Sequence, residues 1–188
     1  MKAQLKKTDT VQGSKRKKLV PLLVGIILLC VLMLLPLFPA LTITKTGALH
    51  LALCLYKGER FSIRYIHSVN RSPVIDTLEW AGGSTLIVRE SLFQTYGAGI
   101  PIDADLAGTK TNITQDGIVQ SGINTHHSSI SLITGTTSDH QLLYRDKAIR
   151  LKTLVGEQTS IKLSISRVSL LSLIHFKAPS YSLVQEEA

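Results

Sequence analysis

The sequence predicts an all-β fold, a compact antiparallel β-sandwich or partly open barrel, preceded by one N-terminal transmembrane helix. Three observations predict it. Apolar and polar residues alternate with a period of two from Leu49 onward, and turn-forming residues interrupt that alternation at short intervals. Residues 19–41, LVPLLVGIILLCVLMLLPLFPAL, run for 23 positions without a charged side chain.

The apolar run comes first in the chain. At about 1.5 Å per residue, roughly 20 apolar residues cross a hydrocarbon core of about 30 Å, so the run is long enough to span. A cleaved signal peptide would have a shorter apolar region and a small-residue cleavage site, which Leu37-Phe38-Pro39-Ala40-Leu41 does not offer. Pro36 and Pro39 are expected to break the helix near its exit from the bilayer. Before it, residues 1–18 carry Lys2, Lys6, Lys7, Lys15, Arg16, Lys17 and Lys18 against Asp9, a net +6 of the chain's +8. The positive-inside bias then leaves residues 1–18 as a cytoplasmic arm, 19–41 as a signal-anchor in the cytoplasmic membrane, and 42–188 as an extracytoplasmic domain. The basic charge sits in that one arm without aromatic residues to stack on bases, which argues against nucleic acid as a partner.

Cys30 and Cys54 fall on either side of the predicted membrane exit, so a disulfide between them is not expected. The 147 residues beyond the span must be stabilised by burial, and they suffice for one core.

The strands follow in order. Leu49, Leu51, Leu53 and Leu55 alternate with His50, Ala52 and Cys54; Phe61, Ile63, Tyr65 and His67 alternate with Ser62, Arg64 and Ile66. Val74, Leu78 and Trp80 share one parity, and Leu86, Val88 and Leu92 another. Residues 130–133, 141–144 and 161–165 supply later strands. Breaks fall at Lys57-Gly58, Ser72-Pro73, Gly82-Gly83, Gly97, Gly108, Asp116-Gly117, Gly135 and Gly156. Residues 108–139, rich in Gly, Ser, Thr and Asn, read as loops with one or two strands, and residues 169–177 fit either a last strand or a short helix.

Two segments concentrate chemistry. In residues 61–76 the alternation puts His67 on the apolar face of its strand. If the next strand returns as a hairpin with the apolar faces joined, Asp76 falls on the same inner side, close to His67. That pair would be a structural ion pair or a fixed polar feature of a ligand pocket. Ser68 and Ser72 beside His67 and Asp76 superficially suggest a hydrolase, but no nucleophile elbow is present and Ser68 points away from His67 on a regular strand. In Gly97-Ala98-Gly99-Ile100-Pro101, two glycines permit close approach and the proline extends Ile100, giving a tight corner or a backbone-lined rim for an anion. Arg64, Arg71 and Arg89 are the cations available to such a rim. His126 and His127 are adjacent and point apart on a strand, and no ligand set completes a metal site.

Together, F-S-I-x-Y-x-H-S-V, S-P-V-x-D and F-x-x-Y-G-A-G-I-P resemble the bacterial family called domain of unknown function 1850, over about residues 47–166. Asp76 stands where the resemblance leads one to expect glutamate. The matching positions are His67, Ser68, Pro73, Asp76, Gly97, Gly99 and Pro101, with Arg71 between the first two motifs, and the resemblance brings no catalytic residues with it. It implies an association with tripartite ATP-independent periplasmic (TRAP) transporters that use a TAXI-type solute receptor. The expected role is a non-enzymatic, membrane-anchored accessory or small-ligand-binding module without a cofactor. Its expected partners are the bilayer, a TRAP permease and a TAXI receptor. The alternatives are a hydrolase built on Ser68 or Ser72 with His67 and Asp76, and a ligand-free structural protein of the envelope.

Overall fold

The computed structural model describes residues 8–94 and 108–176, with side chains from residue 19 onward. Helix α1 (Thr8–Leu34) begins inside the basic arm and ends two residues before Pro36. A proline disfavours helical geometry in the residue before it and supplies no N–H, which accounts for the stop. The apolar run therefore does not continue as helix to residue 41. Phe38–Leu41 instead open strand β1 (Phe38–Lys45), where Ala40 and Leu41 are fully buried. The apolar part of α1 with described side chains, residues 19–34, rises only about 24 Å. Among the described residues, no helix is long and apolar enough to cross a membrane.

The rest is two antiparallel sheets that do not close, so the open sandwich prevails over the barrel. One sheet orders β2 (Ala48–Cys54), β1, β11 (Thr159–Val168) and β8 (Ser129–Thr134). The other orders β10 (Lys147–Arg150), β9 (Gln141–Tyr144), β3 (Arg60–Ile66), β4 (Pro73–Gly82), β5 (Thr85–Phe93), β7 (Gly117–His127) and β6 (Lys110–Thr114). Side chains of alternate parity from both inner faces meet in one core, which includes Leu41, Ile43, Phe61, Leu78, Leu142 and Leu163. The Tyr144 hydroxyl on β9 donates to the Cys54 carbonyl on β2 at 2.6 Å, tying the two sheets together.

Local irregularities revise several expectations. Between Ile43 and Thr44 the β1–β2 pairing shifts register, so Leu51 and Leu53 enter the main core while Leu49 packs on the opposite face. Residues 108–139 contain three strands rather than one or two: β6, exposed along its length, forms a hairpin with β7, and β8 joins the other sheet. Residues 151–155 form one helical turn, α2 (Leu151–Val155), which buries Leu151 and Val155. Of the two readings of residues 169–177, the helix holds: α3 (Leu170–His175) starts at Ser169, whose hydroxyl accepts the Ser172 N–H at 3.1 Å. Leu173 and Phe176 cover the outer face of the four-stranded sheet at Ala40, Ala52 and Val168.

Candidate functional site

The seven-stranded sheet is wider than its partner, so part of its inner face lies beside the β8 edge instead of beneath a covering strand. A cavity of about 550 Å³ opens there, floored by β3, β4, β5 and β7 and walled by Ser129, Ile130 and Ser131 of β8. It lies between the main core and a smaller cluster of Val74, Phe93 and Ile118.

Asp76 is on this floor. The β3–β4 register pairs Phe61 with Leu78, Ile63 with Asp76 and Tyr65 with Val74, which joins the apolar faces as the hairpin reading required. His67 and Asp76 both face the cavity, but the expected contact between them is not made. Continuing the register sets His67 opposite Ser72, and the His67 N–H donates to the Ser72 carbonyl at 2.9 Å. Asp76 lies four residues further along β4, roughly 13 Å at strand rise. Its partners are Ser91, whose hydroxyl donates to Oδ1 at 2.6 Å, and the Tyr65 hydroxyl. No cationic side chain pairs with it among the described residues.

Burial holds the Asp76 carboxyl above its ordinary range, while the hydrogen bonds from Ser91 and Tyr65 draw it back down. Burial, and then the Asp76 charge, push the Tyr65 hydroxyl up to about 12, so Tyr65 is a donor at neutral pH. The Tyr65 ring stacks on His140, with centroids 5.4 Å apart. Burial lowers the His140 pKa.

Ser91 reaches the cavity because of a bulge. The β5 register with both neighbours shifts near Arg89, so Leu86 and Val88 face inward before it and Ser91 and Phe93 after it. Leu92, expected to share the parity of Leu86 and Val88, lies with Arg64 and Ile75 on the outer face. Gln120, buried on β7, also lines the cavity, as does His127. His126 is exposed, so the two histidines do point apart.

The turn after β3 arranges the other motif residues. Arg71 has φ 51° and donates its N–H to the His67 carbonyl at 2.9 Å, and the Asn70 N–H donates to His67 Nδ1 at 3.3 Å. Ser68 and Arg71 are exposed, Pro73 begins β4, and the Ser72 hydroxyl is buried without a partner among the described residues. Among the described residues, no side-chain hydrogen bond joins the His67 imidazole to Ser68, Ser72 or Asp76. Gly97, Gly99 and Pro101 lie outside the described residues. Of the cations considered for a rim there, Arg89 pairs with Glu79 at 2.9 Å, on a strand face of its own with Arg60 and Asn124. No group of three or more His, Cys, Asp or Glu gathers to hold a metal among the described residues.

Of the cavity's polar residues, sequence reading found His67 and Asp76, weighed His127 only as a metal ligand, and missed Ser91 and Gln120. Tyr65 was read only as an apolar position, although its hydroxyl was the available signal.

Fold and site define an open two-sheet β domain whose inner face carries an aspartate-floored cavity. Residues 61–151 match the family described as Domain of unknown function (DUF1850), which supports assigning this part of the chain to that family. The match covers β3 through β10 and takes in Asp76, Ser91 and Gln120. No curated protein and no solved structure matches the chain.

Proposed function

We propose that the chain is a non-enzymatic, small-ligand-binding module. The observation that carries this reading is the cavity of about 550 Å³ with a polar floor, in the size range of pockets that enclose small molecules. A hydrolase needs a nucleophile within reach of its base, and His67 holds a backbone N–H in place of a serine hydroxyl. Asp76, the carboxylate that would orient such a base, bonds Ser91 and Tyr65.

The module is anchored in the cytoplasmic membrane with its β domain outside. The support is the run of 23 uncharged residues behind a net +6 arm, together with the apolar side chains that α1 leaves exposed from Leu19 to Leu34. Its role is that of an accessory to a TRAP transporter with a TAXI-type receptor, as the family resemblance implies. Anchoring raises the effective concentration of a weak docking surface near a permease.

The test of ligand binding is saturation-transfer NMR of 2-phenylethanol, a neutral aromatic probe, with the full chain in lipid nanodiscs. Ser131 is exposed on the cavity wall, so Ser131→Trp fills the cavity without disturbing the core. Signal from the wild type that disappears in Ser131→Trp, at an equal melting temperature, is expected. Equal signal from both chains, or from neither, overturns the reading.

A further inference from the structure

The ligand of this cavity has a recognisable chemistry, an inference that rests on the ligand-binding reading. We infer that the cavity takes a small amphiphilic amine, its ammonium group on Asp76 and its apolar body along Ile63, Leu78, Val88 and Ile130.

Three observations carry this. First, Asp76 is the one acid on the described lining, and no Lys or Arg stands among the lining residues. An anionic ligand would meet a carboxylate with no Lys or Arg on the described lining to offset it, whereas a cation would supply the charge partner that Asp76 does not find among the described residues. Secondly, both known partners of Asp76, Ser91 and Tyr65, are neutral donors. A carboxylate has about four lone-pair sites, so two donors leave capacity for a ligand N–H. Thirdly, the inward-facing side chains on either side of Asp76 along β4 are Val74 and Leu78, and Ile63 stands opposite it. A single charged head is thus set in an apolar slot, which selects a ligand with one charged end and an uncharged remainder. Ser91 and Tyr65 hold the carboxylate in place before a ligand arrives, which reduces the ordering cost of binding.

The test compares three probes of nearly equal size with the full chain in nanodiscs, titrated calorimetrically at neutral pH against empty nanodiscs: 2-phenylethylammonium, 2-phenylethanol and 3-phenylpropanoate. The wild type is expected to bind the ammonium at least about tenfold more tightly than the alcohol, and the carboxylate least well of the three. In Asp76→Asn, which keeps the shape of the floor, the ammonium should lose that advantage and bind like the alcohol. Alcohol binding without ammonium preference, a preference for the carboxylate, or an ammonium preference that survives Asp76→Asn overturns the inference while leaving a ligand cavity standing. Absence of binding by all three overturns both the cavity reading and the amine inference.

Discussion

Ser91 Oγ donates to Asp76 Oδ1 at 2.6 Å across the β4–β5 pair, where the two residues stand directly opposite each other. The bond exists because the β5 bulge turns Ser91 inward at the level of Asp76. A regular strand carrying Leu86 and Val88 inward, with Val88 opposite Leu78, would have placed Glu90 there instead. The same bond opposes the effect of burial on Asp76, so the carboxylate is part-buried and hydrogen-bonded, with no cationic partner among the described residues.

Stability should carry the imprint of Asp76 in its pH dependence. Burial holds its folded pKa above the ordinary value of 3.8, so the folded chain keeps a proton that the unfolded chain has released. This contribution is present below about pH 4 and is lost as pH rises through the raised folded pKa. Asp76→Asn does not titrate. Its melting temperature should therefore gain on that of the wild type as pH rises from about 4 to about 8. Glu59 is held low despite burial, through Arg145, and Glu79 chiefly through its hydrogen bond from Arg89. Both act in the opposite sense and cancel in the comparison of the two chains. The titratable groups of the described lining that share the cavity with Asp76 are Tyr65 on β3, His67 in the turn after it and His127 on β7, and they are also common to both. A melting-temperature difference that stays constant across the range would show that folding does not perturb this carboxyl.

His67→Ala should lower stability by about 1 kcal/mol, since it leaves the half-buried Asn70 N–H without its imidazole acceptor. The readout is the denaturation midpoint in urea. The turn retains its two backbone bonds, from Arg71 to His67 and from His67 to Ser72, so the hairpin register should persist. An unchanged midpoint would assign the closure of the turn to those backbone bonds alone.

Tyr144→Phe isolates the link between the sheets. The phenol donates to the Cys54 carbonyl from a ring that Arg145 covers at 4.8 Å, and Arg145 is itself paired with Glu59 at 2.8 Å. Removing the hydroxyl strands a part-buried carbonyl and should cost about 1–2 kcal/mol. A lower urea midpoint with an unchanged slope is the expected signature. No change in the midpoint would mean that the apolar contact between the sheets suffices there.

The alternation of Phe61, Ile63 and Tyr65 against Val74, Leu78 and Trp80 made the β3–β4 pair legible, because a period of two with one buried face fixes the register. Asp76 was placed on the inner face by the same logic. Its true partners were not legible. Ser91 reaches it through a bulge, an extra residue that leaves no trace in residue types, and one inserted residue reverses every parity after it. The proximity of His67 and Asp76 failed for a related reason: sharing a face does not fix position along it, and the turn sets His67 against Ser72. Strands β6 and β7 were masked by exposed side chains on β6 and toward the end of β7, where no alternation survives, whereas the apolar residues of 130–133 had marked β8.

The bulge in β7 offers the sharpest contrast between two glycines that both have positive φ. Gly122 has φ 78° and Gly83 has φ 56°, so an L side chain strains the backbone at either position. Their surroundings differ. A Cβ on Gly83 meets nothing, whereas one on Gly122 would run into the Gly108 carbonyl oxygen just ahead of β6. Backbone cannot swing aside as a flexible side chain can. Gly83→Ala should therefore cost about 1 kcal/mol from φ alone, while Gly122→Ala adds a steric term of roughly 1–3 kcal/mol. The clash also bears on the cavity, since the register shift opposite Arg89 presents Ile123 to it from the neighbouring position. Gly122→Ala should weaken 2-phenylethanol binding as well as stability, and Gly83→Ala should affect stability only. Equal losses of melting temperature in the two variants, with binding intact in both, would show that β6 yields freely and that the bulge does not shape the cavity.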